Sequence, residues 1–173
     1  MLYRPYSPSD FAQLYAIEGI CFQPPHRFSR ACMRRLVSSA HAATWVAEES
    51  GTLIGFAIVE WSRDSGETLA YIQTIEVAPE SRERGTGAEL LRRIEDSARH
   101  AGAKRIWLHV DAENRPAIAL YQSQGYLCGG REENYYGRGR AGLVYAKGLT
   151  PAGPPAQDRS GSESAVAKPD HTS

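Results

Sequence analysis

Along the chain, apolar positions recur at helical spacing in some segments and alternate or run together in others, and the two periods divide it into elements. Phe11, Leu14, Ile17 and Cys21 are helically spaced behind Ser7, Pro8 and Asp10, which read as N-cap, first helical position and capping-box acid. A helix therefore follows a short N-terminal strand. The prolines of QPPHRF at 23–28 end it, and Ser29 caps a second helix carrying Met33, Leu36 and Val37. Thr44–Glu48 and Leu53–Trp61 flank Ser50 and Gly51 as a hairpin; after the polar turn RDSG, Glu67–Val77 is a third strand that stops at Pro79. Strict alternation puts Leu69, Tyr71, Gln73, Ile75 and Val77 on one face of it. Leu90, Leu91, Ile94 and Ala98 mark a long helix reaching His100 with Gly102 beyond, Ile106–Val110 a strand, and Pro116–Ser123 a short helix. Two last strands fall around Tyr126–Glu132 and Leu143–Lys147. An antiparallel run followed by βαβαββ predicts a mixed α/β fold.

At 173 residues the chain has room for one domain, placed at 1–149, and a tail over 150–173. From Pro151 the tail holds no Leu, Ile or aromatic residue, so disorder is expected there. Up to residue 150 the charges nearly cancel, 18 basic against 17 acidic, which disfavours generic binding to nucleic acid or an anionic membrane. The three cysteines, Cys21, Cys32 and Cys128, form no C-x-x-C pair, so neither a disulfide framework nor a metal site is indicated, and a reducing cytoplasm is expected. The N-terminus lacks an apolar leader and the longest apolar stretch, Leu53–Val59, is too short for a membrane span, so a soluble, unprocessed protein is expected.

Chemistry concentrates after the third strand. Arg82, Glu83, Arg84, Gly85, Thr86, Gly87 and Ala88 link a strand to a helix N-terminus, where free backbone N–H groups and the helix dipole favour an anion. There is no Gly-Lys-Ser/Thr of a P-loop, and Leu90 stands where a dinucleotide fingerprint needs its third glycine. Val77, Pro79, Arg82, Gly85, Gly87 and Leu90 instead match V-x-P-x-x-R-x-x-G-x-G-x-x-L, and Asn114, Ala117, Leu120, Tyr121, Gly125 and Tyr126 match N-x-x-A-x-x-L-Y-x-x-x-G-[FY]. In both signatures the chain resembles the GCN5-related N-acetyltransferase (GNAT) superfamily over about residues 1–149. The resemblance implies acetyl-CoA as co-substrate, lying between splayed parallel strands. Its arm would be held by the backbone of Ile75, Glu76 and Val77, and its pyrophosphate by the loop from Arg82 to Ala88, with Asn114 and Tyr121 alongside.

Within the superfamily, Asn134, Tyr135 and Tyr136 resemble the NYY segment of protein N-terminal α-acetyltransferases of RimI and Naa type, which implies a protein or peptide N-terminus as acceptor. Phe22 and His26 fall in the other substrate-lining loop that the resemblance implies. Tyr121 resembles the family's tyrosine acid. Where RimI-type enzymes carry Leu-Glu-Val, this chain reads Leu108-His109-Val110; the departure is similar to eukaryotic enzymes acting on methionine-starting termini, in which that histidine works with a tyrosine at the place of Tyr71. Imidazole, with an ordinary pKa of roughly 6.5, suits base catalysis at neutral pH. Glu76 and Glu60 stay open as alternative bases or partners. Two other readings use the same cradle: a small-molecule acetyltransferase for a polyamine, amino sugar or antibiotic, and a noncatalytic acyl-CoA sensor. The oligomeric state is left open by the sequence.

Overall fold

The computed structural model describes residues 1–151, so the tail expected over 150–173 lies outside the described residues beyond Pro151. The elements in chain order are β1 (Leu2–Pro5), α1 (Phe11–Cys21), α2 (Arg30–Ser38), β2 (Ala42–Glu49), β3 (Thr52–Asp64), β4 (Glu67–Val77), α3 (Thr86–His100), β5 (Ala103–Asp111), α4 (Arg115–Ser123), β6 (Leu127–Glu132) and β7 (Gly142–Gly148). Local chemistry sets their ends. The Asp10 carboxylate accepts the Ser7 N–H at 2.8 Å, and the Ser29 hydroxyl accepts the Cys32 N–H at 3.1 Å. Ser50 and Gly51, and again Ser65 and Gly66, all have positive φ, giving two-residue turns whose twist matches the flanking strands. The second turn therefore shrinks from the expected RDSG to Ser65-Gly66, and Arg63 and Asp64 pair within β3.

The strands form one seven-stranded sheet in the order β1-β2-β3-β4-β5-β7-β6. Only β4 and β5 run parallel, and they pair only from Thr68 and Ala103 to Tyr71 and Trp107. Beyond that point they part, so the splay expected from the family resemblance is present. On one face the sheet packs on α3 through Ala57, Val59, Ile72, Leu90, Leu91 and Ile94; on the other it packs on α1 and α2 through Phe56, Ile58, Leu14, Ile17, Met33 and Leu36.

The single face expected for β4 is corrected by a β-bulge. Ile58 pairs with Thr74 but Val59 pairs with Ile72, which leaves Gln73 as an extra residue and inverts the alternation. Ile75 and Val77 consequently pack with Ala70 and Ile72 on the α3 side. Thr74 and Glu76, like Phe56 and Ile58 opposite them, face α1, and Tyr71, opposite Glu60, shares that face. One inserted residue thus brings Tyr71, Thr74 and Glu76 onto the same face of the strand.

Candidate active site

The glycine loop is built to present backbone. Glu83 and Gly85 both have positive φ, and Gly85 is the N-cap of α3, where it supplies no capping side chain. The helix ladder begins with Glu89 N–H on Gly85 O at 3.1 Å, so the amides of Thr86, Gly87 and Ala88 have no intrahelical acceptor. The Thr86 hydroxyl is buried and also lacks a partner. The two arginines of the loop are turned elsewhere: Arg82 Nε donates to Val77 O at 2.9 Å, and Arg84 pairs with Glu49 at 2.6 Å. What could hold a diphosphate here is therefore the run of N–H groups with the helix dipole behind it. Asn114 caps α4, its Oδ1 accepting the Ala117 N–H at 3.3 Å.

Gly87 lines this cradle, and a Cβ there would lie 3.4 Å from Leu120 Cδ2 and 4.0 Å from Val77 Cγ2. Gly87→Val is expected to weaken CoA binding about tenfold or more, because two further methyl groups fill the approach to the amides. Helix propensity does not fall in the exchange, so the melting temperature should change little. Calorimetry with CoA checks this; unchanged affinity in the folded variant would take the loop out of cofactor binding.

At the point where β4 and β5 part, the structure gathers five of the residues singled out from sequence. The Tyr71 hydroxyl and His109 Nδ1 are 2.9 Å apart. Their rings, with that of Trp107, form a tilted cluster in which Trp107 meets Tyr71 edge-on at 4.6 Å. Tyr135 stacks flat on His109, centroids 4.1 Å apart and planes within 9°. Tyr136 meets Tyr135 edge-on at 4.9 Å, and His26, from the loop after α1, lies 6.0 Å from Tyr136. Burial, then the neighbouring Tyr135, holds the Tyr71 hydroxyl well above the usual tyrosine range, so it keeps its proton at neutral pH. His109 Nε2 faces Glu132 Oε1 at 3.4 Å.

The loop carrying the two tyrosines folds around Asn134, which has positive φ and whose Oδ1 accepts the Gly139 N–H at 2.7 Å. Arg140 closes it with an ion pair to Asp111. The stack also depends on Gly142: a Cβ there would sit 2.9 Å from Tyr135 Cδ1 and 3.0 Å from its Cβ and Cγ. Since the Cβ end of a side chain cannot swing aside, Gly142→Ala is expected to push Tyr135 off His109. The acceptor kcat/KM should fall roughly 10- to 100-fold, as for other small misplacements of a positioned group, with circular dichroism unchanged. Parental kinetics in this variant would mean that the stack is not used.

The remaining expected residues divide. Tyr121 is buried against Tyr126, and its hydroxyl has no hydrogen-bond partner among the described residues; burial raises it above the usual tyrosine range. It borders Tyr136. Phe22 is half-buried at the C-cap of α1 and does not join the aromatic cluster. Glu76 is turned away from the cluster: its side chain is buried against α1, and burial followed by Glu18 pushes it up to about 10, which does not favour it as a base. Its expected place along the acetyl-CoA arm rests on its backbone alone. Glu60 accepts Gln73 Nε2 at 3.2 Å and Arg35 Nη1 at 3.4 Å, opposite Tyr71 on β3. Sequence reading missed Glu132, which comes from an edge strand, and Gly142, whose only signal is its lack of a side chain.

Among the described residues no helix is long and apolar enough to cross a membrane, and no group of three or more His, Cys, Asp or Glu is placed to hold a metal ion. Residues 10–126 match the acetyltransferase (GNAT) family. The chain belongs to that family. It is 39% identical over 105 residues to streptothricin acetyltransferase of Streptomyces lavendulae, a match covering 60% of this chain and 54% of that enzyme. It is 34% identical over 128 residues to N-alpha-acetyltransferase RimI of Mycobacterium tuberculosis, covering 74% of this chain and 79% of the relative. Its fold is similar to Arabidopsis thaliana NAA60 in complex with acetyl-CoA, with a TM-score of 0.76, 25% identity and coverage of 86% and 98%. The chain thus spans about half the length of the streptothricin enzyme and most of the other two.

Proposed function

We propose that this GNAT protein is a cytoplasmic, acetyl-CoA-dependent N-acetyltransferase whose acceptor is the α-amine of a protein or peptide N-terminus. The observation that carries the reading is the Tyr71–His109 bond, roofed by Tyr135, where β4 and β5 separate. The cofactor fits the residues present: the backbone of Ile75, Glu76 and Val77 lies on the part of β4 that β5 leaves unpaired, and the free amides of the Arg82–Ala88 loop and the orphaned Thr86 hydroxyl suit a diphosphate. Bound there, acetyl-CoA supplies an acetyl group activated as a thioester.

The chain's own residues handle protons and exclude water. The Tyr71 oxygen takes a proton from the acceptor amine, directly or through water, as its own proton passes to His109 Nδ1. The imidazolium so formed presents its Nε2–H to the Glu132 carboxylate. Tyr121, kept protonated by burial and donating to no protein group, holds a proton for the departing sulfur. His26, Tyr135 and Tyr136 close over the acceptor's first residue.

The streptothricin relative favours a second reading, a small basic molecule as acceptor. Thiol release from acetyl-CoA separates the two, measured over short peptides beginning Met, Ser, Ala and Thr with spermidine and an internal-lysine peptide alongside. Turnover of at least one free N-terminus well above spermidine is expected. Turnover of spermidine with none of the peptides would replace the first reading by the second.

A further inference from the structure

Between α1 and β4 lie two buried acids that the chemistry above does not use. Glu18 on α1 is fully buried and Glu76 on β4 is 3% exposed. Glu18 Oε1 accepts the Phe28 N–H at 2.7 Å, and Glu76 Oε1 accepts the Thr74 hydroxyl at 2.7 Å. The remaining oxygen of each, Oε2, is buried and without a donor; Glu76 is on the face of β4 turned to α1, and Glu18 is the neighbour that, after burial, raises it. Two ionised carboxylates would repel strongly in so apolar a place, whereas one proton between the orphaned oxygens satisfies both. We propose that Glu18 and Glu76 share one proton, and that the bond is a positioning element fixing the acceptor loop 22–28 to the part of β4 that borders the cleft.

Geometry supports this from both ends. The loop leaves α1 after Cys21 and returns at Phe28, whose two backbone polar groups are both tied to α1: the N–H to Glu18, and the carbonyl to the Tyr15 hydroxyl at 3.1 Å. Between them lies His26, which meets Tyr136. Glu76 sits between Ile75 and Val77, past the last pairing of β4 with β5. Beside it the Cys21 thiol and the Arg82 guanidinium both donate to Val77 O, at 3.7 Å and 2.9 Å. A pair of leucines could fill the same space but would leave the Phe28 N–H and the Thr74 hydroxyl without acceptors, so what the acids add is a set of directional links between two walls of one cleft. Burial, then Glu18, pushes Glu76 up to about 10, the direction expected for an acid that keeps a proton beside a second carboxyl.

The proposal rests on the acceptor reading of this cleft, and its test separates the two. Glutamine carries a permanent donor, so Glu76→Gln or Glu18→Gln alone keeps the link: the amide N–H meets the partner's free oxygen, and the amide oxygen keeps Thr74 or Phe28. The Glu18→Gln, Glu76→Gln double variant sets two amide donors face to face at unchanged volume, and Glu76→Ala leaves Glu18 Oε2 without a donor. The Glu18→Gln single variant is expected to keep peptide kcat/KM within about threefold. The double and Ala variants should lose about tenfold or more, mainly in peptide KM, while CoA affinity by calorimetry moves less than about threefold. Hydrogen exchange of segment 22–29 should stay slow in the single variants and quicken in the double one. A double variant as active and as protected as the singles overturns the shared proton, and a loss confined to melting temperature with peptide KM unchanged overturns the positioning role. A parent that acetylates no peptide would sink the acceptor reading, and the exchange pattern would then decide the pair by itself.

Discussion

Replacing His109 with alanine is expected to lower kcat/KM for a peptide acceptor by roughly 10²- to 10⁴-fold, the span of general-base catalysis. The loss should fall on kcat more than on CoA affinity, since His109 lies beside Tyr71 and under Tyr135, away from the glycine loop. If the proposed relay of Tyr71 and His109 operates, Tyr71→Phe should be costly by itself but add little in the His109→Ala background. His109→Glu restores the residue type of the RimI pattern. It is expected to recover part of the rate, with the rising limb of the pH profile moved to lower pH because a carboxylate ordinarily titrates below an imidazole. The peptide's own amine titrates too, so one peptide must serve throughout and only the differences between variants belong to residue 109. A His109→Ala enzyme that keeps the parental rate and limb would remove the histidine from the reaction and leave Glu60, the carboxylate opposite Tyr71, as the next candidate.

The second large effect is expected at Tyr121, where Tyr121→Phe should reduce kcat by about 10²-fold, the lower end of the range for a proton donor. The hydroxyl is held in its neutral form by burial and donates to no protein group, so its removal breaks no internal hydrogen bond. The ring's packing on Tyr126 survives the change. Melting temperature and CoA affinity should therefore stay near the parental values, and the defect should appear in kcat and kcat/KM together, the signature of a group used only in the transition state. Parental kcat in the Phe variant would return Tyr121 to the core.

Much of this arrangement was legible along the chain because it depends on local rules. The caps at Ser7 and Ser29, the stripe of α3 and the Ser50-Gly51 hairpin follow from capping chemistry, helical spacing and the positive φ that tight turns require. The glycine loop could be read for the same reason: a helix N-terminus offers its amides whatever the rest of the fold does. Tyr71 and His109 were each visible as polar aromatic residues in strands. Their contact was implied by the family resemblance, since two positions 38 residues apart meet only through the parallel register that pairs Tyr71 with Trp107.

By itself, then, the sequence determined the elements, their order, the mixed α/β class and the glycine loop at the start of α3, all consequences of interactions within a few residues. Tertiary structure alone decided which faces those elements turn to one another. The bulge at Gln73 is a matter of register between β3 and β4, and alternation counted along a single strand misses it. Past that residue, Glu76 turns toward α1 and its carboxyl is buried there, away from the cluster around His109. Glu132 reaches His109 only because β6 and β5 flank the same strand, β7. Partners of this kind come from long-range strand pairing, and no local period in the chain encodes them.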